Sequence, residues 1–163
     1  MAQFERYTAE GQKALIFARE EAISLRHRVI DPEHLVLGIL RVKDDVIESL
    51  FSRLQIDVAR LEETLTFVVG RGNKAILSKP TFGQAVRVAM QRAGDISEHR
   101  GQALISIEHL LLGVLSEKNS IATGIFENFG ISFEVAQQEF DALSRNHDDT
   151  SQSSYYYRCF SET

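Results

Sequence analysis

Apolar residues recur along this chain with the three-to-four-residue spacing of helices that bury one face. Between Thr8 and Leu25, the residues Leu15, Ala18, Ala22 and Leu25 share one stripe. The next segment opens Asp31-Pro32-Glu33-His34 and continues Leu35-Val36-Leu37-Gly38-Ile39-Leu40. Asp31 suits a helix N-cap, Pro32 the first helical position and Glu33 the positive end of the helix dipole. A run that is apolar all round predicts the buried centre of its unit. A third helix is expected through Val46, Ile47, Leu50, Phe51 and Leu54, and a fourth, capped by Asp57, through Val58, Leu61, Leu65 and Val68.

The pattern then repeats. Shifted by 75 positions, Ile30, Glu33 and His34 meet Ile105, Glu108 and His109; Leu35, Leu37, Gly38 and Leu40 meet Leu110, Leu112, Gly113 and Leu115. Lys43, Phe51 and Ile56 meet Lys118, Phe126 and Ile131, and the register holds without a gap from about Val29 to Val69. Before Val29 it blurs: Thr8 aligns with Gly83, or with Thr81 if the chain slips by two residues. The second copy has Ser106 as the expected cap ahead of Glu108, and a last helix capped by Ser132 and carrying Phe133, Ala136, Phe140 and Leu143. Gly38 and Gly113 each cost ~1 kcal/mol in a helix interior relative to alanine, so another helix is expected to cross closely at both. The fold class is therefore all-α, two pseudo-symmetric four-helix repeats forming one globular unit. The expected divisions are repeat one over 1–69, a Gly- and Pro-marked linker over 70–80, repeat two over 81–143 and a polar, disordered tail over 144–163. The tail ends in Tyr155-Tyr156-Tyr157 and Phe160, a frayed end or a short docking motif.

Composition narrows the function. The chain has 163 residues, 44% apolar and 25% charged, with a formal net charge of −5. That balance argues against a nucleic-acid partner, whose affinity comes from neutralising phosphates, and against anionic membrane. The one cysteine, Cys159, makes no internal disulfide. The N-terminus lacks a basic stretch leading into an apolar run, and no apolar stretch reaches the ~20 residues of a membrane span. The expected location is the cytoplasm.

Catalytic signatures are missing. Gly70 to Lys74 has neither the spacing nor the preceding strand of a phosphate-binding loop, and no Gly-x-Ser-x-Gly elbow occurs. Glu33-His34 and Glu108-His109 are the tempting pairs, yet neighbours on a helix point about 100° apart, and the zinc-protease pattern of two histidines four apart is absent. Their carboxylates are expected to complement the helix dipole or to recognise a ligand, and their imidazoles to bond nearby backbone. His27, His99 and His147 are expected at the surface. No catalytic residue, metal or cofactor is expected.

The helix from Thr8 to Leu25, followed by Ile30-x-x-Glu33-His34-Leu35-x-Leu37-Gly38 and the same signature around Glu108, resembles the double N-terminal domain of Clp unfoldases, the ClpC type above all. The resemblance covers about Phe4 to Leu143. It implies a non-catalytic protein-binding module whose partners are Clp ATPase or protease subunits, adaptor proteins or protein substrates. The 163 residues hold no ATPase module, so the expectation is a free-standing N-domain, with the N-terminal fragment of a full ClpC-type ATPase as the alternative. The resemblance also implies phosphoarginine recognition by a helix-start threonine and the Glu of each Glu-His motif: Thr8 with Glu33, and Thr81 with Glu108. A carboxylate pairs with a guanidinium, while a helix-start hydroxyl and free N–H groups take the phosphate. Two other functions stay open: a groove between the repeats binding exposed apolar segments in quality control, and an enzyme using Glu33 and Glu108 as a carboxylate pair within ~10 Å.

Overall fold

Polar caps set the helix starts, and the apolar stripes set what each helix covers. In this computed structural model, which describes residues 4–73 and 78–145, a 3-10 turn (Phe4–Arg6) leads into α1 (Ala9–Ser24), α2 (Pro32–Val42), α3 (Asp45–Arg53) and α4 (Val58–Val69). The second set is α5 (Gln84–His99), α6 (Ile107–Leu115), α7 (Ile121–Asn128) and α8, helical over 133–145. Thr8, Asp44, Asp57 and Ser132 each accept a first-turn backbone N–H at 3.0–3.3 Å. Asp57 and Ser132 thus cap as their sequence positions predict. The tail, with His147, Cys159 and the aromatic cluster, lies outside the described residues.

α2 and α6 form the centre. Leu35 to Leu40 and Leu110 to Leu115 are all buried, and the two helices touch each other. Each is crossed by the first helix of its own repeat, at the glycine. A Cβ on Gly38 would lie 2.4 Å from the Ala14 carbonyl oxygen, and one on Gly113 would lie 2.3 Å from that of Ala89. Ala14 and Ala89 are themselves 75 positions apart, so the register extends back through the first helices. Phe51 and Phe126, another such pair, stack with ring centroids 6.4 Å apart. Equivalent residues meet there, on the pseudo-two-fold axis.

The sequence pattern gives no sign of two short backbone pairings that lace the repeats together. β1 (Val29–Ile30) runs parallel to β2 (Thr81–Phe82), Ile30 opposite Phe82. Tyr7 pairs in parallel with Ile105. Under the shift of 75, Tyr7 corresponds to Phe82 and Ile30 to Ile105, so these are one contact made twice. The entry to the first helix of each repeat pairs with the entry to the second helix of the other.

Candidate functional site

That lacing brings helix starts from both repeats together at two junctions. At the first, the Thr8 N–H donates to the Ile105 carbonyl at 2.9 Å, and the Ile105 N–H donates to the Arg6 carbonyl at 2.7 Å. The start of α1 therefore lies beside the start of α6. The Thr8 hydroxyl oxygen accepts from the Gly11 N–H at 3.1 Å. Ser106 caps α6, and its hydroxyl donates to Glu108 Oε2 at 2.7 Å. The third helix start is that of α3, where Asp44 accepts from the N–H groups of Val46 and Ile47 at 3.0 and 3.3 Å. Burial raises the Glu108 carboxyl above its ordinary value; Ser106 holds it down, the Asp44 charge adds to the rise, and Arg100 lowers it. Burial likewise raises Asp44, against its two N–H bonds, with Glu10 and Asp45 adding to the rise. A cavity of about 420 Å³ opens at this junction between α3, α6 and α8.

At the second junction the Thr81 N–H donates to the Arg28 carbonyl and the Gly83 N–H to the Ile30 carbonyl, both at 3.1 Å. The start of α5 thus lies beside the start of α2. Burial raises Glu33; its own backbone N–H lowers it, Asp31 raises it, and the Ala122 N–H in the first turn of α7 lowers it. Ser120 caps α7 without a side-chain bond, and its buried hydroxyl has no partner among the described residues. Neither Glu33 nor Glu108 has an ion-pair partner among the described residues.

The four candidate residues therefore group differently from the expected pairs. His27, just beyond α1, touches His34 in the first turn of α2, so Glu33 lies at the far end of α1 from Thr8. Thr8 stands with the start of α6, which carries Glu108, and Thr81 stands with the start of α2, which carries Glu33. Thr81 is exposed in β2, two residues before the cap of α5, and Gly83 occupies the cap. The alignment of Thr8 with Gly83 is the one the backbone adopts. Gly83 is tight, for a Cβ there would meet Val29 Cγ1 at 2.6 Å. Glu33 and Glu108 do not appear in each other's electrostatic surroundings.

The histidines are structural. His34 Nδ1 accepts from the Asp31 N–H, and His109 Nδ1 from the Ser106 N–H, each at 2.9 Å. Burial first, then the His27 or Arg100 neighbour, holds both imidazoles down to about 4. With Nδ1 accepting, His34 carries its proton on Nε2 and donates to His27 Nδ1 at 2.8 Å. His27 is thus half-buried and bonded, and the expectation of a surface residue is corrected. His99 is exposed as expected.

A second cavity, about 630 Å³, runs along α5 at the pseudo-axis and includes Tyr7, Phe82, Arg6 and Arg87. At the equivalent place in repeat one, Arg19 lies over the Phe82 ring at 5.5 Å. Gly94 takes the position equivalent to Arg19 and leaves the cavity open. Nothing local in the sequence marks this groove, Asp44 or Arg100; the signal for the groove is the exchange of arginine for glycine between the equivalent positions 19 and 94.

Comparison with known proteins agrees with this architecture. The profile of the Clp repeat (R) N-terminal domain matches residues 6–129 and 84–157. The chain is 29% identical over 136 residues to the chaperone protein ClpB of Oceanobacillus iheyensis, covering 83% of this chain and 17% of that protein. It is 28% identical over 139 residues to the negative regulator of genetic competence ClpC/MecB of Bacillus subtilis, again 83% and 17%. The chain therefore spans about a sixth of the length of these relatives. Among solved structures it resembles the N-domain of ClpV from Vibrio cholerae, with a TM-score of 0.74, 18% identity and 87% of each chain covered. It also resembles the N-terminal domain of ClpD from Arabidopsis thaliana, with a TM-score of 0.70, 20% identity, and 87% of this chain and 96% of that one covered.

Proposed function

Because this chain belongs to the Clp repeat N-terminal domain family, a non-catalytic module, we propose that it recognises proteins for a Clp unfoldase or protease in the cytoplasm. Its partners in this reading are marked substrates, adaptors or Clp subunits. The observation that carries it is the convergence of three helix starts, drawn from both repeats, around a half-buried glutamate at each junction. Helix starts favour anionic groups and present free N–H donors, while the glutamate favours a guanidinium. Phosphoarginine combines both charges in one side chain, and Thr8, Glu33, Thr81 and Glu108 flank the two junctions at which such a side chain, or its unmodified cationic counterpart, would sit. A second reading, in which exposed apolar segments of clients dock along α5, takes the groove beside Gly94, where Tyr7, Phe82, Met90 and Ile105 offer apolar contacts among the polar Arg6, Arg87, Gln91 and Asp95.

Native affinity capture from a lysate tests the assignment to the Clp system. The chain should recover a Clp ATPase, protease or adaptor, and the double variant Glu33→Ala, Glu108→Ala should recover at least several-fold less. Recovery of no Clp component would contradict it. Capture undiminished in the double variant would move the contact to the groove.

A further inference from the structure

The two junctions differ in charge, and the difference lies at the start of the third helix. Asp44 and Asp45 stand where the second repeat has Asn119 and Ser120. At the Glu108 junction the Val46 and Ile47 N–H groups of α3 are already bonded to Asp44, so an incoming phosphoryl group finds those two donors taken. It would instead meet the carboxylates of Asp44, Asp45 and Glu108, with Glu10 behind them. Arg100, the one arginine or lysine lining the cavity among the described residues, has its guanidinium on Asp141. His109, also in the wall, is neutral at pH 7. The rest of the wall sets the apolar side chains of Val46, Phe140 and Leu143 among the polar Ser49, Gln102 and Ser144.

We propose that the Glu108 cavity receives the unmodified cationic side chain of a lysine or arginine and rejects a phosphorylated one, so that the two junctions of this chain take different ligands. This rests on the glutamates being recognition groups. The cavity, about 420 Å³, holds such a side chain with its methylene stem against Val46, Phe140 and Leu143 and its cation at Glu108 and Asp45. The Glu33 junction, with α5 and α7 both lacking a side-chain cap bond, is the one left for a phosphoryl group. A partner peptide carrying a plain basic residue near a marked arginine would engage both.

The test is an amide-resolved NMR titration of the full chain with acetyl-lysine-amide, acetyl-arginine-amide and phosphoarginine, each alone. One or both basic probes should shift Val46, Ser49 and Glu108 saturably, and the probe that does identifies the side chain. Glu108→Gln should weaken this about tenfold or more. Phosphoarginine should leave those three amides unmoved in the native chain and shift them in the Asp44→Asn, Asp45→Asn variant. Asparagine retains the cap, and the amide spectrum itself shows that the variant is folded. Phosphoarginine entering the native Glu108 cavity as tightly as the basic probes would overturn the proposal, as would no response there to either basic probe. Shifts at Gly83 and Ala122 report separately on the Glu33 junction, so the reading of that site stands or falls by a different set of amides.

Discussion

A methyl group added at Gly38 would press on the Ala14 carbonyl oxygen at 2.4 Å and the Ala18 nitrogen at 2.7 Å, both backbone atoms of the crossing helix. Helix propensity alone would reward Gly38→Ala by about 1 kcal/mol. Overpacking of a fixed backbone crossing costs about 1–3 kcal/mol or more, so the substitution should be net destabilising, and Gly113→Ala likewise, in urea denaturation. A stabilised Gly38→Ala protein would mean the helices separate freely. The buried imidazoles give a pH dependence with a definite sign. His34 and His109 titrate at about 4 in the fold against 6.5 when free. Between those values the unfolded chain binds more protons, so stability rises with pH across that window, is fully present above about 6.5, and is lost as pH falls toward 4. A shift of that size corresponds to roughly 3 kcal/mol per imidazole. Glu33 and Glu108, whose carboxyls are raised, work in the opposite sense and offset part of it. The urea midpoint should fall from pH 7 to pH 5; an unchanged midpoint would show that the imidazoles accept protons without loss of their bonds.

At the scale of the element, caps decide where helices begin and which ends remain open to a ligand. Asp44→Ala removes two first-turn bonds of α3 and should cost about 1 kcal/mol, whereas Asp44→Asn should be nearly neutral; thermal melts of the two variants separate cap loss from charge loss. The helices were legible because Asp31-Pro32, Asp57, Ser106 and Ser132 announce their starts and Gly38 and Gly113 announce their crossings. The start of α5 was not legible. Gly83 carries no hydroxyl, and Thr81, two residues earlier, imitates the residue a cap calls for. The correspondence of Tyr7 with Phe82 fixes the register once the backbone is seen, because each pairs with an isoleucine before a Glu-His helix. His27 misled for a related reason: a lone histidine between two arginines has no local pattern, and its partner His34 is supplied by the turn between α1 and α2.

For the whole molecule, the exchange of strand-like contacts between repeats makes the two halves one structure. Which threonine joins which glutamate was invisible in the sequence, since it depends on contacts 52 to 98 positions apart along the chain. With α2 against α6 and Phe51 stacked on Phe126, neither repeat buries its core alone. Hydrogen exchange should therefore give the slowest amides of α2 and α6 one common opening free energy; two distinct values would mean the repeats unfold separately. The central claim, that a glutamate at converging helix starts recognises a marked side chain, is tested most directly by calorimetric titration with phosphoarginine of the native chain and of the Glu33→Ala, Glu108→Ala double variant. The account predicts saturable binding in the tens of micromolar, about 6 kcal/mol, for the native chain and none for the variant. No heat in the native protein, or equal heat in both, would contradict it.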